Sequence, residues 1–129
     1  MKPLAVALAA AVLALLGPAA CLSDTLESYG KPGRLVRLPD GRRMNLRCVG
    51  SGPVVIFDSG LGGTTLAWNK VQERLSDTFQ ACSYDRAGIG FSDPGPMPRD
   101  TRNMAEDLHQ LLKASGLRGP YILVGHSLG

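Results

Sequence analysis

The chain has 129 residues, room for one domain and not for two. Hydrophobic residues make up 44% and charged residues 19%, a balance that excludes a disordered polar chain. Lys and Arg number 14 against 11 Asp and Glu with no run of one sign, so no footprint for nucleic acid is present.

Residues 1–21 read as an export signal. Lys2 supplies the positive start, Leu4–Leu16 is a run of Leu, Ala and Val, and Gly17-Pro18-Ala19-Ala20-Cys21 closes it with small residues. The apolar run is shorter than the roughly 20 residues a bilayer-spanning helix needs. Cys21 after Ala19-Ala20 resembles the lipobox of bacterial lipoproteins, although that family prefers Leu where this chain has Pro18. Two readings stay open: a cleaved secretory signal, or a signal whose Cys21 becomes a lipidated first residue attached to a membrane. Either places the protein outside the cytoplasm, in the periplasm, in the medium or anchored to the envelope.

Residues 22–32 are polar and end in Gly30-Lys31-Pro32, which suits a linker ahead of a domain from residue 33. The flanks Arg34–Leu38 and Met44–Val49 alternate in polarity around Pro39-Asp40-Gly41, the signature of a β-hairpin. Pro53–Asp58 is continuous and rich in β-branched residues, as in a strand covered on both faces. After the loop Ser59–Gly63, a helix that Thr64 or Thr65 can cap is expected to run to about Ser76, with Leu66, Ala67, Val71 and Leu75 near helical spacing. Phe79–Tyr84 reads as a strand running into the loop Asp85–Ser92, and Asp93–Pro98 is too rich in proline for regular structure.

Thr101–Ser115 carries the clearest helical pattern, with Met104, Leu108, Leu111, Leu112 and Ser115 on one stripe and Gly116 as a stop. His109 lies off that stripe and is expected in solvent. Tyr121–Val124 is a last short strand, followed at once by Gly125-His126-Ser127-Leu128-Gly129. The order hairpin, strand, helix, strand, helix, strand predicts an α/β fold with a mostly parallel sheet. Besides Cys21, the chain has Cys48 and Cys82, candidates for one bridge in an exported protein and for buried thiols in a cytosolic one. No Cys or His cluster supports a metal site.

A strand that ends in G-x-S-x-G is a nucleophile elbow, where a tight turn projects a serine hydroxyl and flanking side chains would collide. Together with Asp58-Ser59-Gly60-Leu61-Gly62-Gly63 and Tyr84-Asp85-Arg86-Ala87-Gly88-Ile89-Gly90-Phe91-Ser92, in that order, it makes residues 34–129 resemble the α/β-hydrolase family. The resemblance implies that 33–129 is the N-terminal part of such a domain, with an antiparallel hairpin at its start. Ser127 would be the nucleophile toward a small-molecule acyl substrate. The backbone N–H groups of Leu128 and Leu61 would form the oxyanion hole, and no cofactor is needed. Many members have His where this chain has Ser59.

The family's order places the acid and the His after the nucleophile. Asp58, Asp85, Asp93 and the adjacent His126 therefore do not fit those roles, and both partners are expected beyond Gly129. Asp85 and Arg86 are read instead as pinning their own loop by hydrogen bonds. The family's strand order also sets Cys48 beside Cys82, which implies a disulfide between them. The expectation is a serine hydrolase acting on an ester or related acyl bond, truncated after the elbow strand and inactive in that form. The alternatives are a non-catalytic fragment or pseudo-enzyme, and an acyltransferase when intact.

Overall fold

The computed structural model describes residues 26–129. The expected export signal with Cys21 and the first part of the expected linker lie outside the described residues. Five strands form: β1 (Arg34–Arg37), β2 (Arg43–Val49), β3 (Val54–Asp58), β4 (Gln80–Tyr84) and β5 (Tyr121–Gly125). They lie in one mixed sheet in the order β1-β2-β4-β3-β5. β1 and β2 are the expected antiparallel hairpin, with Arg37 opposite Arg43 at its closed end. Gly41 turns it at φ 90°, and the Asp40 carboxylate accepts the Arg42 amide at 3.0 Å.

β3 runs parallel to β4 on one side and to β5 on the other. Its alternation fills both faces. Val54 and Ile56 pack with Met44, Tyr84, Leu111 and Leu112, while Val55 and Phe57 pack with Ala81, Trp68 and Leu75. Burying each such aliphatic or aromatic side chain contributes about 1.5–3 kcal/mol, so this short strand is a major share of the core. Among the described residues β5 pairs with β3 and stands last in the strand order, with Ile122 and Leu123 exposed.

β2 runs antiparallel to β4, with Cys48 opposite Cys82. The two are joined by a disulfide, as the family's strand order implies, with Cα atoms 4.0 Å apart.

Two helices cover opposite faces. The one on the Ile56 face, Thr101–Ser115, has the bounds the sequence predicts. Asp100 caps its start by accepting the Asn103 amide, and Gly116 ends it at φ 77°. Leu111 and Leu112 are buried and His109 is exposed, as expected. Asp107, unforeseen, is also buried, because Arg42 and Arg99 each donate to its carboxylate, at 2.7 and 2.6 Å.

The other helical segment departs from its expected stripe. Thr65–Trp68 is a 3-10 turn and Asn69–Leu75 an α-helix. A 3-10 turn takes three residues, so it rotates the following helix away from the stripe that a continuous α-helix would present. Leu66 and Val71 are consequently exposed, at 47% and 39%, and Gln72 is fully buried. Its Nε2 donates to the carbonyls of Arg47 and Ala81, and its Oε1 accepts from the hydroxyls of Ser83 and Tyr29. A buried amide with every position matched is tolerated where an unmatched one is not. Thr64 occupies the cap position, but its side chain makes no capping bond.

The described part of the linker is held to the domain. Tyr29 is buried, and the Arg47 guanidinium lies 4.4 Å from its ring centre while donating to the carbonyls of Ser28 and Lys31. No helix among the described residues is long and apolar enough to cross a membrane.

The rotated register predicts an asymmetry along Asn69–Leu75. Gln72→Leu strands the carbonyls of Arg47 and Ala81 and should cost about 2–4 kcal/mol in urea unfolding. Val71→Ala should stay within about 0.5 kcal/mol of the parent.

Candidate active site

At the C-terminal end of β5 the chain reverses sharply. Gly125 is in register with Asp58, the last residue of β3. His126 then donates its amide to the Asp58 carbonyl at 3.1 Å, and Gly129 donates to the His126 carbonyl at 3.0 Å. Ser127, between them, has φ 58°, the one left-handed non-glycine residue among those described. That conformation costs a residue with a Cβ about 1–2 kcal/mol, and it persists only where its surroundings impose it. The flanking glycines allow the turn that holds it here. A Cβ at Gly125 would run into the Gly129 backbone, and one at Gly129 would run into the Asp58 carbonyl.

The loop after β3 lies beside this turn. Gly60 is so close that a Cβ there would sit 3.3 Å from the Ser127 Cβ and 3.2 Å from His126 Nδ1. Gly60–Gly63 forms a tight turn, closed by the Gly63 amide on the Gly60 carbonyl and dependent on Gly62 at φ 72°. Ser59 holds the loop from below: its hydroxyl accepts the Trp68 indole N–H at 2.8 Å and donates to the Thr64 carbonyl at 3.2 Å. Trp68 in turn packs on Phe57, ring centres 4.8 Å apart. Among the described residues the amides of Leu61 and Leu128 have no hydrogen-bond partner. A cleft of about 490 Å³ opens between this loop, Ala67, Trp68 and His126, with the exposed Leu61 at its rim.

Asp58, Asp85 and Asp93 are each engaged. Asp85 is fully buried and accepts from Thr65 N at 2.7 Å, Asn45 Nδ2 at 2.8 Å and Phe91 N at 3.0 Å. It thus pins its own loop, as expected, and also fixes the start of the 3-10 turn. Gly90 is required beside it, since a Cβ would strike its carboxylate. Arg86 corrects the expectation placed on it. Rather than holding its own loop, it donates across to the Asp58 carboxylate at 2.6 Å. Nothing in the sequence spacing marks that pair, or the bond between Ser59 and Trp68. Asp93 is bound to the amide and guanidinium of Arg43. Burial first, and then the Asp58 carboxylate, push the Tyr84 phenol above its ordinary pKa. Ser127 Oγ has no hydrogen-bond partner among the described residues.

A family model described as the alpha/beta hydrolase fold matches residues 53–129. Over 86 residues, the chain is 36% identical to the 2-(acetamidomethylene)succinate hydrolase of Mesorhizobium japonicum, covering 67% of this chain and 31% of that protein. The crystal structure of an E-2-(acetamidomethylene)succinate hydrolase superposes with a TM-score of 0.67 at 33% identity, over 73% of this chain and 34% of the other. An esterase from Exiguobacterium antarcticum, at 24% identity and a TM-score of 0.68, shares the fold over 75% of this chain and 36% of its own. The chain spans about a third or less of such relatives, down to 11% of a Hormonema carpetanum protein named as a transporter, to which it is 42% identical over 77 residues.

Because Asp85 serves three donors from three segments, Asp85→Ala should cost about 3 kcal/mol or more in chemical unfolding. In amide exchange, Thr65 and Phe91 should lose protection together.

Proposed function

Since the chain belongs to the α/β-hydrolase fold family, we propose that it contributes the nucleophile and oxyanion donors of a serine hydrolase acting on an ester or related acyl bond. The observation that carries this reading is the backbone of Ser127, held left-handed between glycines that tolerate no side chain. A strained serine at the end of a parallel strand, beside a cleft, is where this family does its chemistry.

In the proposed reaction Ser127 Oγ attacks the acyl carbonyl carbon and passes its proton to a general base. The carbonyl oxygen becomes an oxyanion, which the Leu128 and Leu61 amides receive. Neither amide has another partner among the described residues. Collapse expels the alcohol or amine, which takes a proton from the base, and leaves an acyl-enzyme. Water then releases the acid and restores the serine. Transfer of the acyl group to another hydroxyl would use the same intermediate. Each oxyanion donor in such a site is worth on the order of 10²–10³ in rate. The base and its acid are proposed to come from residues that follow the elbow, since Asp58, Asp85 and Asp93 are already bound.

The lack of any partner for Ser127 Oγ favours a second reading, in which residues 26–129 by themselves bind but do not turn over an acyl compound. The proposed setting is outside the cytoplasm, and the Cys48–Cys82 bridge supports it, because such bonds persist in oxidising compartments.

A fluorophosphonate probe should label the intact protein at Ser127, and Ser127→Ala should abolish the label. An unlabelled parent overturns the nucleophile assignment. If Cys21 is the lipidated first residue, cells given a labelled fatty acid should transfer it to the parent protein and not to Cys21→Ala. A mature protein that begins elsewhere and carries no label removes the lipid-anchored version.

A further inference from the structure

The last residue pair shared by β3 and β5 is Asp58 with Gly125, and beyond it the two chains part into the cleft loop and the elbow. Strand ends at such a fork are free to fray unless something else ties them. Asp58 is that tie on the elbow side, since its carbonyl receives the His126 amide and Gly129 packs against it. The Asp58 side chain is itself held by Arg86 at 2.6 Å. Arg86 follows directly on Asp85, whose carboxylate is fixed by three donors. A continuous path therefore runs from the buried Asp85 at the end of β4, through Arg86 and Asp58 at the end of β3, to the backbone of Ser127 after β5.

We propose that Arg86 is a positioning residue for the elbow, acting through Asp58 to set where the Ser127 hydroxyl and the Leu128 amide point. This rests on the nucleophile reading of Ser127. The ion pair is poorly suited to a purely stabilising role. The Asp58 side chain remains 25% exposed, so water can solvate it when Arg86 is removed and the fold survives the loss. The placement of the elbow is more sensitive, because a shift of about 1 Å in a reacting group can cost on the order of 10²-fold in rate. One guanidinium nitrogen makes the contact, so a lysine ammonium can replace much of it.

The test compares the intact protein with Arg86→Met and Arg86→Lys. Three quantities are read: the rate of fluorophosphonate labelling at Ser127, the urea unfolding midpoint and hydrogen exchange at the His126 amide. Positioning predicts that Arg86→Met slows labelling roughly 10- to 100-fold. Its midpoint should stay near the parent's while the His126 amide exchanges faster, and Arg86→Lys should recover most of both losses. Labelling at the parent rate with unchanged His126 exchange overturns the proposal, as does a labelling loss that merely tracks loss of folded protein. If the parent itself does not label, the nucleophile reading falls, and exchange at His126 in parent and variants still decides whether Arg86 holds the elbow.

Discussion

Asp85 has no solvent exposure, yet its carboxylate sits at the junction of β2, the 3-10 turn and the loop after β4. Removing a charge from water costs several kcal/mol even after relaxation, so such a group is retained only where donors surround it. The donors here are two backbone amides and one side-chain amide, drawn from segments up to 40 residues from Asp85 in sequence. Meeting them dictates much of the local sequence. Gly90 must lack a Cβ, and Ser92 must reach back, donating to the Asp85 carbonyl at 2.6 Å while accepting the Asn45 amide at 2.9 Å. The stretch Asp85–Ser92 is thus organised to bury one charge safely. Because the 3-10 turn hangs from the same carboxylate, the position of Trp68, and through it Ser59 and the cleft loop, follows from Asp85 as well.

The elbow depends on the opposite kind of constraint. Asp85 is held by attraction, whereas the elbow is shaped by exclusion: glycines on either side let the chain close to within backbone contact, and Ser127 between them takes φ 58°. The strain is modest beside the stability of a domain, but it is concentrated on one residue.

The parts of this arrangement that were legible in the sequence are those written in local pattern. The hairpin around Gly41, the two-faced β3 and the helix Thr101–Ser115 follow from periodicity and turn chemistry, and the elbow from its glycines. Long-range polar matches were not legible. Gln72 falls outside the expected stripe of Leu66, Ala67, Val71 and Leu75, because its partners, the Arg47 and Ala81 carbonyls, belong to strands that no helical wheel includes. Asp107 is likewise absent from the apolar stripe of its helix, its partners Arg42 and Arg99 lying outside that helix. Arg86 was assigned to its own loop because the residue beside it serves that loop, although the two side chains go to different places. The capping threonine was expected to act locally, but the group at the head of the 3-10 turn comes from 20 residues away.

The Cys48–Cys82 bond has a topological consequence. It joins strands that are neighbours in the sheet but 34 residues apart in the chain, and the closed ring contains β3, the loop Ser59–Gly63 and the helix that carries Gln72. A protease that cut one peptide bond inside this ring would not release either piece. The two ends would remain tethered through sulfur at the centre of the sheet, with the strand pairs on both sides still formed. The floor of the cleft thereby keeps its connectivity through a single nick that would sever an unbridged chain.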